Sequence, residues 1–264
     1  MYDFEYHRPA NVEDALKLIG ERGEAKLLAG GMSLLPSLKM RLARYSDLVD
    51  LGGIAELNGI RRDGNALVIG AMTPHAVVAA SPEVNSTIPA LASLANGIGD
   101  PLVRNRGTIG GSIANSDPAA DYPAGVVGLG ATIITNQREI EADEFFLGLF
   151  DTALAPREII TAVRFPIPRK AVYLKLRQQA SRFAVVGVFV ARMGNGARVA
   201  VTGAGPSVFR VKDAEAALAR KFDASVVKGL QIKQDNLSSD IHASAEYRAH
   251  CTSVLIGRAV TAVS

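Results

Sequence analysis

An α+β fold is predicted by three features of the sequence. Helix-period and strand-period segments alternate irregularly through its first two thirds, Pro166 and Pro168 then interrupt the pattern, and beyond them three strand-like runs precede two amphipathic helices. The 264 residues are 48% hydrophobic and 21% charged, which is enough apolar material for one large domain or two ordinary ones and excludes a disordered chain.

The elements follow in order. Asn11 is placed to cap a helix over residues 12–19, where Val12, Ala15, Leu16 and Ile19 share a face, and Gly20 and Gly23 end it. Residues 26–29 read as a strand, Gly30-Gly31 as a tight turn, 34–42 as a helix and 48–51 as a second strand, which together make a small β-α-β unit. The next region, about 54–168, carries a strand at 66–69, an alanine-rich helix at 88–98 and strands at 131–135 and 159–165. Strands at 173–178, 184–192 and 198–203 follow, with Gly194-Asn195-Gly196 as the hairpin turn between the last two. In the two closing helices, Val211, Ala214, Ala217 and Leu218 share one face, and Tyr247, Cys251, Val254 and Leu255 another, so Cys251 reads as a packing residue rather than a nucleophile. The expected division is a domain over 1–168, with subdomains of about 1–53 and 54–168, and a C-terminal α+β domain over 169–264 built on a three-stranded antiparallel sheet.

Composition removes several function classes. A net charge of +3, from 29 basic and 26 acidic residues, is too balanced for an extended nucleic-acid surface. The first residues show no basic region followed by an apolar run, and no apolar stretch is long enough to cross a membrane, so a cytoplasmic location is expected. One cysteine forms no internal disulfide and cannot hold an iron-sulfur cluster, which takes about four thiolates. His7, His75, His242 and His250 lie far apart without metal-ligand spacing, and surface or packing roles are their ordinary reading.

Two segments carry chemistry. Ala29-Gly30-Gly31-Met32-Ser33 sits between a strand and a helix, where unpaired N–H groups favour an anion and glycine lets the backbone approach an oxygen closely. Alone it reads equally as a turn with a capping serine. Thr108-Ile109-Gly110-Gly111-Ser112 repeats the same chemistry on a different element, and two donor loops suit a diphosphate. Arg104 and Arg106 either add positive charge there or are solvated loop residues. Asn115 to Pro123 is polar and contains Asp117 and Asp121, whose four-residue spacing suggests an acid/base pair. Asp117 reads equally as a helix cap before Pro118, and Asp121 fits better as an acceptor for sugar hydroxyls. No triad is found.

With Val103-Arg104-Asn105-Arg106-Gly107 ahead of the second segment and Asp117-Pro118-Ala119-Ala120-Asp121 behind it, the chain closely resembles the FAD-binding medium subunit of the molybdenum hydroxylases, the xanthine oxidase and carbon monoxide dehydrogenase family. The resemblance runs from Phe4-Glu5-Tyr6-His7-Arg8-Pro9-Ala10 to the stretch from Ser239 to Arg248. It implies a PCMH-type FAD-binding domain followed by a C-terminal domain of the carbon monoxide dehydrogenase flavoprotein type. By this resemblance Ala29, Gly30, Gly31, Met32 and Ser33 together with Thr108, Ile109, Gly110, Gly111 and Ser112 hold the diphosphate of a non-covalent FAD, with Leu27 and Leu34 bordering the first loop and Asn115 close to the second. Asp121 lies near the sugar chain, and Ile160 and Lys175 match further contacting positions. Where relatives read Arg-Lys-x-Gly-Asp-Tyr-Ala, this chain has Gln178-Gln179-Ala180-Ser181-Arg182-Phe183-Ala184, so Phe183 keeps an aromatic surface without the hydroxyl, either against the flavin ring or as a core aromatic.

The implied function is electron relay within an oxidoreductase. A large molybdopterin-binding subunit oxidises the substrate, a small subunit with two [2Fe-2S] clusters passes electrons to FAD, and FAD passes them to an external acceptor, in a dimer of heterotrimers. The competing readings are a stand-alone flavoprotein oxidoreductase and a flavin-free assembly subunit.

Overall fold

The computed structural model describes all 264 residues, arranged as three layers that meet around one cleft. The first layer contains β1 (Glu5–His7), α1 (Val12–Glu21), β2 (Ala25–Leu28), α2 (Leu34–Lys39) and β3 (Asp47–Asp50). Its strands form a parallel sheet in the order β1-β3-β2. Asn11 caps α1 as its side chain accepts the Asp14 N–H at 2.8 Å. Asp47 ties the layer together, accepting from His7 Nε2 at 2.7 Å and Arg22 Nη1 at 2.6 Å. α2 stops three residues short of the expected end, and Arg41 just beyond it takes a left-handed conformation at φ 59°.

The middle layer begins with β4 (Ile60–Asp63) and β5 (Ala66–Gly70), continues through α3 (His75–Ala80), α4 (Pro82–Thr87), α5 (Pro89–Asn96), α6 (Pro101–Arg106), α7 (Ile109–Asn115) and α8 (Tyr122–Leu129), and closes with β6 (Thr132–Thr135), β7 (Glu139–Glu141), α9 (Ala142–Phe145), β8 (Phe146–Gly148), β9 (Asp151–Thr152) and β10 (Ile160–Pro166). Five of the strands make an antiparallel sheet in the order β4-β5-β10-β6-β7. α5 matches the alanine-rich segment, and its tight packing follows from Ala90, Leu91, Ala92, Leu94 and Ala95 all being buried. Every residue of α8 is buried, so this helix is apolar all round rather than amphipathic.

The third layer is an antiparallel sheet of β11 (Lys170–Arg177), β12 (Ala184–Met193), β13 (Gly196–Thr202) and β14 (Phe209–Arg210), followed by α10 (Lys212–Arg220) and α11 (Ala245–Val263). The expected three strands are present, and the two-residue β14 adds a fourth at the edge. Side-chain alternation along β12 sends Phe189 and Ala191 into the middle layer's core while Val186, Val188 and Val190 face α10 and α11. Gly128 permits the close contact with α8, since a Cβ there would stand 2.7 Å from Phe189 Cδ1.

One face is corrected. α11 buries Arg248, Ala249, Thr252, Ile256, Ala259, Val260 and Val263, whereas Tyr247 and Val254 of the expected stripe are exposed and Cys251 is half-buried. The helix is turned because Arg248 goes inward, donating from Nη1 to Val185 O at 2.6 Å and Gly203 O at 2.7 Å and from Nη2 to Asp240 at 2.7 Å. No helix is long and apolar enough to cross a membrane.

Candidate functional site

The link from β2 to α2 supplies one wall of the cleft. Gly31 takes φ +74°, a left-handed step that glycine adopts without a Cβ penalty. The N–H groups of Gly30, Gly31, Met32 and Ser33 have no acceptor within the chain. Ser33 sits at the N-cap position of α2, yet its hydroxyl caps nothing, so the simple reading as a capped turn does not hold. Gly30 is required by packing, because a Cβ there would lie 2.1 Å from Arg106 O. This contact presses the first segment against the second.

The second segment differs from its expected form. It is the first turn of α7 rather than a loop, with Thr108 as N-cap accepting the Gly111 N–H at 3.1 Å. Ile109 N–H goes to Thr73 O, Gly110 N–H to Ala71 O and Ser112 N–H to Thr108 O, so only Thr108 N–H remains free. The two segments are therefore not equivalent donors: the first presents a run of free N–H groups, and the second faces them with Gly111 and the hydroxyls of Thr108 and Ser112.

A cleft of about 240 Å³ runs between them, lined by Ala29 to Leu34, Thr108, Gly111, Ser112, Asn115, Asp121 and Phe183 among the expected residues. Five expected residues do not reach it. Leu27 points into the first layer's core, Ile109 and Ile160 are buried in the middle core, and Gly110 is held against Ala71. Lys175 is behind the wall, bridging Asp121 at 2.9 Å, Gly97 O at 2.9 Å and Arg182 O at 3.0 Å.

Asp121 is nearly enclosed at 4% exposure of its side chain and takes a 2.5 Å hydrogen bond from Tyr173 Oη as well as the Lys175 ammonium. Burial raises its pKa, and Lys175 and then Tyr173 oppose that rise. Most of its acceptor capacity is spent, which makes it an anchor joining α8 to β11 more than a free base. Asp117 is no helix cap: its Oδ1 accepts Ala119 N–H at 2.9 Å in a local turn, and burial raises its pKa too. Arg104 spends Nη1 on Ile98 O and Gly99 O, and neither it nor Arg106 lines the cleft.

Phe183 lines the cleft and is 44% exposed, so it is not a core aromatic. It follows Arg182, a non-glycine residue at φ +63°. The cleft also contains residues that sequence reasoning did not place at the cofactor, chiefly His75, Ile98, Gly99, Val103, Ala120, Ser181 and Arg182, together with Asp117, which it had raised only as an acid/base partner or helix cap. Ser181 and Arg182 had a local signal as neighbours of Phe183, and Asp117 as the partner of Asp121; the others come from helix ends and turns whose mutual approach depends on tertiary packing.

Residues 2–168 match the family described as the FAD binding domain in molybdopterin dehydrogenase. The carbon monoxide dehydrogenase medium chain of Hydrogenophaga pseudoflava is 36% identical over 98% of this chain and 96% of its own length. The nicotine 6-hydroxylase medium subunit of Paenarthrobacter nicotinovorans is 35% identical over 97% and 95%. Among solved structures, carbon monoxide dehydrogenase from Hydrogenophaga pseudoflava lacking the Mo-pyranopterin moiety of its cofactor superposes with a TM-score of 0.90 at 37% identity, covering 99% of this chain and 97% of that one. Quinoline 2-oxidoreductase from Pseudomonas putida 86 gives a TM-score of 0.90 at 28% identity over 99% and 97%.

Proposed function

The chain belongs to the family of FAD-binding domains of molybdopterin dehydrogenases, as a medium-subunit oxidoreductase component, and from that premise we propose that it receives electrons from [2Fe-2S] clusters in a small partner subunit and delivers them through FAD to an external acceptor. A large molybdopterin subunit oxidises the substrate in this reading, and two such heterotrimers pair. The cofactor-binding domain covers 1–168, in subdomains of about 1–53 and 54–168, and 169–264 forms the second domain.

The observation that supports the cofactor's place is the run of four acceptor-less N–H groups at Gly30 to Ser33, facing Gly111, Thr108 and Ser112 across the cleft. A diphosphate has the oxygens to satisfy such a run, and the arrangement does so without a metal ion or lysine. We assign Ala29 to Leu34, Thr108, Gly111, Ser112 and Asn115 to this contact. Phe183 presents an aromatic face to the same cleft, and Asp121 with Lys175 keeps β11 in register with its wall. FAD supplies the two-electron redox chemistry when bound, and the chain supplies binding, orientation and water exclusion.

The test is to load the purified chain with excess FAD, desalt it, and measure flavin absorbance and melting temperature. About one FAD per chain and a rise in melting temperature that grows with FAD concentration are expected. A flavin-free chain with unchanged melting would overturn the reading. Co-purification with neighbouring subunits, followed by iron and molybdenum analysis, tests the relay; turnover of an organic substrate by the loaded chain alone would refute it.

A further inference from the structure

His75 opens α3 and is 4% exposed, yet it lines the cleft. Its backbone is fixed by its N–H to Gly107 O at 2.9 Å, and the ring lies against Gly107, where a Cβ would stand 2.6 Å from Nε2. Gly107 Cα in turn is 2.7 Å from the Cβ position of Gly30. Imidazole, Gly107 and the free N–H run are thus stacked in succession. Nδ1 is enclosed and unpartnered, and so is Oη of Tyr122, whose ring centroid lies 5.2 Å away at 48°.

Leaving a buried polar atom unbonded costs about 1–3 kcal/mol, so neither group is explained by the stability of the fold, which a phenylalanine at either position would serve better. On the FAD-binding reading above, we propose that His75 is a cofactor-binding residue: its Nε2 donates to an oxygen of the diphosphate or ribityl part of FAD beside Gly107 and Thr108. The enclosed Nδ1 makes Nε2 the ring nitrogen left for the cleft. Burial, and then the nearby Arg104 charge, hold the imidazole's pKa down to about 4, so at neutral pH it offers one N–H donor and one acceptor. The tautomer the arrangement needs is the one with Nε2 protonated, which places the donor towards the cleft and leaves the enclosed Nδ1 without a proton.

The experiment compares the full chain with His75→Phe, His75→Gln and Tyr122→Phe, measuring melting temperature without FAD and the FAD dissociation constant by flavin fluorescence. His75→Phe is expected to melt at or above the wild-type temperature without FAD and to bind FAD roughly tenfold more weakly, the worth of one hydrogen bond. His75→Gln retains an N–H and should recover part of the affinity, and Tyr122→Phe, which removes an enclosed hydroxyl that bonds to nothing and does not reach the cleft, should leave it unchanged. In labelled wild-type chain, FAD addition should shift the Nε2 resonance of His75. A destabilised His75→Phe with unchanged FAD affinity would make the residue structural and overturn the proposal, as would unchanged affinity with unchanged melting. If wild type itself takes up no FAD, the cofactor reading fails; if wild type binds and the variants bind equally, only the role of His75 fails.

Discussion

Lys175→Met is the most informative single perturbation of the cleft, because its effect separates a cofactor contact from a structural anchor. The Lys175 ammonium is 9% exposed and lies 2.9 Å from Asp121, whose side chain is 4% exposed. Removing one partner of a buried pair strands the other and costs about 3–5 kcal/mol. Two further acceptors, Gly97 O and Arg182 O, lose the same donor. A loss of about 4 kcal/mol without any FAD is expected, which at about 2–4 °C per kcal/mol for a chain of this size lowers the melting temperature by roughly 10 °C. Asp121→Asn should cost about 3 kcal/mol alone, and the double variant about 4 rather than 7, because a charge already unpaired is removed with it. Urea titrations of the four proteins without FAD measure that cycle. Additive losses, or a Lys175→Met variant as stable as wild type that loses only FAD affinity, would refute the anchor.

Gly31→Ala forces an L-residue into φ +74° with its Cβ 2.9 Å from Leu35 Cδ1, so a stability loss of about 1–2 kcal/mol and weaker FAD binding are expected together, read by melting and flavin fluorescence. Gly110→Ala meets Ala71 Cβ at 2.6 Å and should destabilise the chain before any cofactor is added, by about 1–3 kcal/mol. Glu158 is held to a pKa of about 2, first by the Arg138 guanidinium, against burial and with help from Ala155 N–H and Thr135. A folded-state pKa below the ordinary 4.5 adds stability that is complete above about pH 4.5 and disappears as pH falls through 2; on the order of 2–3 kcal/mol is expected, visible as a wild-type advantage over Glu158→Gln in urea at pH 7 that shrinks towards pH 2. Phe183→Ala should leave stability within about 0.5 kcal/mol and raise the rate at which oxygen reoxidises the loaded chain; an unchanged rate would remove Phe183 from the flavin's surroundings.

The elements with strong local signals were legible in the sequence. Asn11 caps α1, the alanine-rich helix is α5, and the Gly194-Asn195 turn joins β12 to β13. Short pieces whose identity depends on a neighbour were not: β1 exists through its pairing with β3, and β14 through two residues against β13. For the site, glycine spacing located both segments but not their inequality. Whether an amide is free depends on distant acceptors, and Ala71 O and Thr73 O consume two of the second segment's donors. Apolar counting likewise misplaced the face of α11, because a buried arginine bonded to two carbonyls and a carboxylate has no hydrophobic signature. His75 was invisible for a related reason: its place in the cleft comes from the approach of Gly107, not from its own neighbours in sequence.

The shared face of β12 has a consequence for biosynthesis. A ribosome delivers the chain from its N-terminus, so the strands and helices of the middle layer are all synthesised at Pro166 while four members of its core, Tyr173, Phe189, Ala191 and Ala200, are still to be made. At about 5–20 residues per second the roughly 35 residues up to Thr202 take some 2–7 s, and more must follow before they leave the exit tunnel. Through that interval one side of α8 is bare and the cleft lacks its Ser181 to Phe183 wall. The cleft is therefore closed late in the synthesis of each molecule, by residues that lie beyond the segments forming its two other walls.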